Sequence, residues 1–200
     1  MQQEKTRRTN AERSDTMRTA LLAAARALFV EKGYAETGTP EIVAAAGFTR
    51  GALDHHFSDK KALFEAVVRA ESAAVAAAID AAAPRDIPAR EALREGGAAF
   101  LEAMAEPGRT RLMLLDGPAV LGREAMDAID AEHSARTLRA GFAAAMREAG
   151  TRGLSLDAVT MMVSAAYDRA ALAVASGAGA AEYLAAIDAM VGGVLAARVR

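Results

Sequence analysis

The 200-residue chain contains no cysteine and no tryptophan. Without cysteine there is no disulfide frame, no thiolate metal site and no thiol nucleophile. Aromatic residues make up only 4% of a chain that is 52% hydrophobic. Its core must therefore be built from Ala, Leu, Val, Ile and Met, which suits close-packed helices. No stretch alternates apolar and polar residues as a half-buried strand would. No run approaches about 18 uninterrupted apolar residues, and the N-terminus is polar and charged, unlike a signal peptide. A cytoplasmic protein with no membrane partner is the expectation. The chain also lacks a Gly-rich phosphate loop, a G-x-S-x-G elbow and any cluster with metal-ligand spacing. No catalytic residue, metal site or cofactor is assigned, and no enzyme activity is expected.

The net charge of −2 is unevenly spread. Residues 1–61 hold ten Lys/Arg against eight Asp/Glu, a net of +2, and the remainder carries −4. The asymmetry points to the N-terminal part as a face for nucleic acid. The sequence TPEIVAAAGFTRGALDHHFSDKKAL, from Thr39 to Leu63, predicts two short helices, a tight turn between them and the start of a third. Thr39 is a good N-cap, and Pro40 suits a first helical position, where a missing N–H costs nothing. Ile42, Val43 and Ala46 give this helix its apolar side, and Gly47 suits a left-handed C-cap. Thr49 can cap the second helix, whose Leu53 and Phe57 lie four apart and share one face. Ser58 can cap the third. Two short helices joined by a Gly-containing turn form a helix-turn-helix.

The stretch resembles the DNA-binding domain of the tetracycline-repressor (TetR) family of bacterial regulators. The matching residues are Phe29, Gly33-Tyr34, Ile42, Ala45-Ala46-Gly47-Phe48, Gly51, Leu53, His56-Phe57, Lys60 and Leu63. Their order and spacing cover about a quarter of the chain, far more specific than a lone helix-turn-helix. The rest matches the family only in length and helical character. The resemblance implies an all-α fold: a three-helix DNA-binding domain at 15–61 behind a flexible basic arm at 1–14, then an effector-binding and dimerisation domain at 62–200. It implies a homodimeric, ligand-responsive regulator, most often a repressor, with operator DNA and a small-molecule effector as partners.

Along the chain, Lys5, Arg7 and Arg8 can meet phosphate or enter a minor groove, or belong to a solvated tail. A first long helix is predicted over 15–32 from Met17, Leu21, Leu28 and Phe29, with Gly33 ending it. Tyr34 is expected to pack back under the helix-turn-helix. The recognition helix is predicted from Thr49 to Phe57, leaving Arg50, Gly51, Ala52, Asp54 and His55 outward. Arg50 is the best base reader, because its guanidinium fork matches guanine O6 and N7. Thr49 can contact phosphate or a base, and the helix N-termini at Thr39 and Ser58 offer N–H groups to phosphates. The resemblance assigns phosphate contacts to Lys60 and His56. His55 and His56 point about 100° apart on a helix and make no chelating face.

At Asp54 the family most often has a tyrosine that contacts the DNA backbone. An ionised carboxylate cannot donate to phosphate and repels it. Asp54 can pair with Arg50, can accept from a cytosine amine, or can weaken DNA binding. The last option supports an alternative function, a helical dimerisation module that has lost its DNA.

Prolines and glycines punctuate the rest. A long Ala-rich helix over 58–83 ends at Pro84. Pro88 opens a helix through Met104, closed by Pro107-Gly108. A short segment, Arg109–Leu115, precedes a break at Asp116-Gly117-Pro118. One or two helices cover 119–149, and two more run from Leu156 to Ser176 and from Ala180 to Val199. The total is about nine helices. By resemblance, residues 88–176 hold the effector site. Phe100, Met104, Met113, Met126, Phe142, Met146 and Met162 are the candidate apolar wall, with His133, Arg139 and Asp168 as polar candidates; plain core is the competing assignment for each Met. The last two helices are expected to pair in the dimer through Val163, Ala166, Ala170, Val174, Tyr183, Ile187, Val191 and Val194, or else to form ordinary core.

Overall fold

The computed structural model describes residues 10–82 and 86–198. Lys5, Arg7, Arg8 and Pro84 lie outside the described residues. The chain divides into two compact units, one through Val68 and one from Arg69. Among the described residues there is no strand, only a single bridge between Arg152 and Arg198.

The first unit comprises α1 (Asn10–Glu36), α2 (Thr39–Ala46), α3 (Arg50–His56) and the start of α4 (Lys60–Ala82). α1 begins earlier than predicted, so residues 10–14 are helical. Its regular part ends at Gly33, whose φ of 83° no side-chain-bearing residue adopts comfortably. Thr37 is buried there, and its hydroxyl donates to the carbonyls of Leu28 (3.2 Å) and Gly33 (2.7 Å). The core joins Leu21, Leu28 and Phe29 of α1 with Ile42, Leu53, Leu63, Phe64 and Val67. Leu63, Phe64, Val67 and Val68 are all buried, so this unit runs past the 61/62 boundary read from the sequence. Tyr34 does pack back, its ring 5.8 Å from Phe29 and 5.1 Å from Phe64.

The second unit holds the rest of α4, α5 (Ala89–Met104), α6 (Arg109–Arg111), α7 (Gly117–Leu121), α8 (Arg123–Glu132), α9 (Ser134–Ala149), α10 (Leu156–Ala175) and α11 (Ala180–Ala196). Pro88 is the N-cap of α5, and Ser155 caps α10 by accepting from the Ala158 amide at 3.3 Å. The core runs through Val75 of α4, Leu93 and Leu101 of α5, Phe142 of α9, Val163 and Tyr167 of α10, and Ile187 and Val191 of α11.

Asp116-Gly117-Pro118 is not the break expected. A π-helical segment, Leu112–Asp116, leads straight into α7. The Gly117 amide bonds back to Leu112 O, and Pro118 sits in the first turn of the new helix, where no N–H is needed. A Cβ on Gly117 would lie 3.0 Å from that same carbonyl and 2.9 Å from Met126 Sδ, so a larger residue would force these neighbours to shift. The chain turns instead at Gly122, with φ 91°. α8 and α9 divide at His133. α11 stops at Ala196, short of the predicted Val199.

Within this unit Arg109 and Glu71 form an ion pair at 2.8 Å, with side chains only 14% and 9% exposed. The guanidinium also donates to Ala103 O. α10 is long and apolar enough, by length and composition, to cross a membrane. It also carries Asp157, Asp168 and Arg169 and buries six residues against its own chain.

Candidate nucleic-acid interface and effector cavity

The helix-turn-helix is built much as its capping residues dictate. Gly47 takes the left-handed conformation (φ 73°, ψ 28°), returning its amide to Ala44 O and Val43 O. Thr49 caps α3, its side chain accepting from the Ala52 amide at 3.4 Å. Two caps differ from the sequence prediction. Gly38 is the N-cap of α2 and Thr39 its first helical residue, with no side-chain cap bond. Asp59, not Ser58, caps α4: its carboxylate accepts from the Ala62 amide at 2.7 Å, and a carboxylate suits the positive end of a helix better than a hydroxyl.

Leu53 and Phe57 face the core, and Thr49, Arg50, Gly51, Asp54 and His55 are exposed; Thr39, Ala52 and His56 are half-buried. Arg50 Nε lies 3.7 Å from Asp54 Oδ2, both largely exposed. Of the three roles open to Asp54, this contact is the one present in the free chain. A solvated i,i+4 pair is worth only about 0.2–0.5 kcal/mol, so DNA can separate it at little cost. Arg18 lies over the Phe57 ring at 5.5 Å, bracing the end of α3. His55 and His56 rings are 5.2 Å apart and edge-on, and no metal-holding group of His, Asp and Glu occurs among the described residues.

Lys60 is placed differently from a freely extended phosphate lysine. Its ammonium donates to Tyr34 O (2.9 Å) and Thr37 O (3.0 Å) and sits 4.3 Å from the Tyr34 ring centroid. Two of its three donors are thus committed to holding the end of α1 against the start of α4.

The second unit contains a cavity of about 230 Å³. Ile79 of α4, Leu93 and Phe100 of α5 and Leu138 of α9 give it apolar walls. Ser134 and Thr137 of α9 and Ser164 and Tyr167 of α10 add hydroxyls. Of the residues predicted to bind a ligand, only Phe100 lines it. Met104, Met113 and Phe142 are buried in the core, and Met146 packs partly buried against that core. Met126 packs on Gly117. Met162 is 67% exposed. His133 stands at the α8–α9 break beside Ser134, and Arg139 pairs with Asp157 on the surface. A signal for the missed residues was present. Gly96-Gly97 and Gly141 lie inside predicted helices, where glycine costs about 1 kcal/mol relative to alanine and needs a packing reason. A Cβ on Gly97 would fall 2.0 Å from the Tyr167 hydroxyl, and one on Gly141 2.7 Å from Leu93. These glycines let Tyr167 and Leu93 into the space between α5, α9 and α10.

Behind the hydroxyls lie two half-buried carboxyls. Asp130 Oδ2 accepts from Ser164 Oγ at 3.2 Å, and the Ala135 amide bonds the same carboxylate. Burial raises the Asp130 pKa, while those bonds lower it. Asp168, one turn beyond Ser164, has its pKa raised to about 6, by burial first and then by the charge of Asp130, with Arg123 opposing. Its unfolded value is about 3.9, so the native state holds the proton more tightly. Stability linked to Asp168 is therefore complete below about pH 4 and is lost as the pH rises through about 6. Asp168→Asn should stabilise the protein at pH 7.5 by about 2 kcal/mol and have little effect near pH 4. Thermal unfolding at the two pH values checks this, and an equal effect at both would clear Asp168 of the role.

The paired-helix residues also divide. Val163, Ala170, Ile187 and Val191 are buried in the chain's own core, while Ala166, Val174, Tyr183 and Val194 are half-buried. The uncovered faces carry Met161 (71% exposed) and Met162 on α10 and Met190 (51%) on α11. Ala158, Ala165, Ala186 and Gly193 are exposed on the same two helices.

Residues 21–67 match the description "Bacterial regulatory proteins, tetR family", and residues 90–197 match "Tetracyclin repressor-like, C-terminal domain". The HTH-type transcriptional repressor BepR of Brucella suis is 44% identical over 62 residues, which cover 31% of this chain and 29% of that protein. The match therefore spans less than a third of that relative's length. A TetR-family transcriptional regulator from Pectobacterium atrosepticum is 31% identical, with a TM-score of 0.71 over 96% of this chain and 100% of that one. RolR in complex with resorcinol superimposes with a TM-score of 0.70 over 92% of this chain and 91% of that one; at 19% identity this shows the fold alone. With both halves matched in order, and a relative alike over its whole length, the chain belongs to the TetR family of bacterial regulatory proteins.

Proposed function

We infer that this chain is a cytoplasmic, homodimeric repressor that binds operator DNA through α3 and releases it when a small molecule occupies the cavity of the second unit. The observation that carries this is the outward face of α3. Arg50 and Gly51 are exposed in the first turn, and Asp54 and His55 in the last, of a recognition helix whose other face is locked by Leu53 and Phe57. Side chains in that position enter the major groove, with Arg50 as the base reader. The exposed methionines and small residues of α10 and α11 supply an apolar face for a second copy. A two-fold dimer presents two recognition helices to half-sites about 34–36 Å apart.

α4 is continuous through the unit boundary, so it joins the cavity's unit to the DNA-binding unit covalently. An effector lowers operator affinity by binding more tightly to a conformation that does not fit DNA, thereby shifting the population toward it. The resorcinol in RolR is consistent with a small ligand in this fold. The family match leaves Asp54 as the sole support for a module without DNA.

Fluorescence anisotropy on tiled DNA from upstream of the gene tests the proposal. Tight, site-selective binding is expected, weakening steeply with salt. Arg50→Ala should cost about 1–3 kcal/mol of site preference. Asp54→Tyr should tighten binding to every tile by removing a charge that repels phosphate. If neither the parent nor Asp54→Tyr binds any tile in preference to random DNA, the repressor reading fails.

A further inference from the structure

The cavity's chemistry narrows what can occupy it, on the reading above that it is the effector site. Its volume of about 230 Å³ exceeds the roughly 150 Å³ of a cavity that holds benzene. It lies below the roughly 300 Å³ at which drug-sized sites begin. A substituted single ring or a branched aliphatic chain fits. No residue lining it carries a charge at neutral pH. Tyr167, the one titratable residue among them, stays neutral, its pKa pushed up to about 12 by burial and then by Asp188.

Two of the wall's hydroxyl protons are already used. Ser164 Oγ donates to Asp130 Oδ2 at 3.2 Å and Thr137 Oγ1 donates to Asp80 Oδ1 at 3.3 Å. Ser134 Oγ is different: it is buried and has no hydrogen-bond partner among the described residues. A buried hydroxyl without a partner costs free energy, and a ligand that supplies the partner recovers it. Asp130 bonds both Ser164 and the Ala135 amide, which links Ser164 to the residue next to Ser134 in the cavity wall. With its proton spent, Ser164 can only accept from a ligand, whereas Ser134 can do either. A group that both donates and accepts is therefore matched there.

We propose that the cavity takes a small uncharged molecule with an apolar body and one hydroxyl group, held between Ser134 and Ser164, and rejects carboxylates and ammonium ions of the same size. A carboxylate finds no cation in the wall and has the Asp130 carboxylate behind it. An ammonium ion finds no carboxylate in the wall, because Asp130 lies behind Ser164. Either charge would be desolvated without a partner, which costs far more than burying a hydroxyl that is bonded.

Four probes that differ in one group test this on the full chain at pH 7.5, by isothermal titration calorimetry: 3-methylphenol, toluene, 3-methylbenzoate and 3-methylbenzylammonium. The phenol should bind roughly five- to tenfold tighter than toluene, the scale of one hydrogen bond. It should bind at least about 100-fold tighter than either ion. Ser134→Ala should erase the phenol's advantage and leave toluene unchanged. The selectivity of the parent chain needs no variant, so it stands as a test even if Ser134→Ala fails to fold. If either ion binds as well as the phenol, the proposed class is overturned while the effector-site reading survives. The same holds if the phenol's advantage is absent, or persists in folded Ser134→Ala. If none of the four binds, both fall.

Discussion

Phe64→Ala is expected to destabilise the DNA-binding unit by about 3–5 kcal/mol. Phe64 is fully buried, and its ring meets Phe29 edge-on at 5.1 Å and Tyr34 at 5.1 Å. Removing it deletes the transfer energy of a phenyl group and two aromatic contacts, and leaves a cavity that three helices must close. Whole domains are stable by about 5–15 kcal/mol, so the loss is a large fraction of the total. Tyr34 would lose a ring neighbour, and the Lys60 bonds to Tyr34 O and Thr37 O would lose the surface that supports them. α3 makes no stable helix alone, since seven residues are too few to offset nucleation. Operator binding should therefore fall together with stability. Denaturant unfolding measures the first and anisotropy the second. A midpoint shift equivalent to under about 1 kcal/mol would show that the aromatic group is not the keystone of this unit.

Arg109→Met should destabilise the second unit by about 3–5 kcal/mol, the cost of breaking a buried ion pair from one side. Arg109 Nε lies 2.8 Å from Glu71 Oε2, and the guanidinium also donates to Ala103 O near the end of α5. Methionine keeps the length of the side chain but removes both bonds and the positive charge. Replacing both partners, Arg109→Met with Glu71→Met, should recover much of the loss, because two well-packed apolar side chains replace a desolvated pair at little net cost. The double-mutant cycle reads the coupling directly. If the double variant is as unstable as Arg109→Met plus Glu71→Met taken separately, the two residues are not coupled and the pair is not what anchors this corner.

Parts of the site were legible because they depend on local rules. Gly33 and Gly47 end helices, Thr49 caps α3, and Leu53 and Phe57 share its buried face; each follows from backbone geometry within a few residues. The Arg50–Asp54 contact is likewise a matter of i,i+4 spacing. The two caps that moved, to Gly38 and Asp59, moved by one residue, where several neighbours can serve the same end. Asp116-Gly117-Pro118 was misleading as a break. Glycine and proline mark positions that need special geometry, and a π turn supplies that geometry without ending the helix.

The cavity was not legible in the same way. Methionine and phenylalanine suit a pocket and a core equally, and burial sends Met104, Met113 and Phe142 to the core. Most of the residues that do line the cavity are small or hydroxylated, and the four that bear hydroxyls sit on α9 and α10, which are brought together only by the tertiary packing. The split of α10 and α11 into a core face and an uncovered face is similar. Periodicity shows that these helices have an apolar stripe, but both their faces are apolar, so which stripe turns inward depends on α5 and α9.

The sequence by itself determined an all-α chain, a helix-turn-helix at Thr39–Phe57 and, apart from the half-buried Ala52, the outward set on its second helix. These rest on short-range periodicity and capping, whose energies act over one or two turns. Only the tertiary structure decided that Lys60 clasps two carbonyls, that Arg109 meets Glu71, and that Ser134 and Ser164 line one cavity. The last two pairings span 30 residues or more of chain. They are set by how helices stack, which no local pattern encodes.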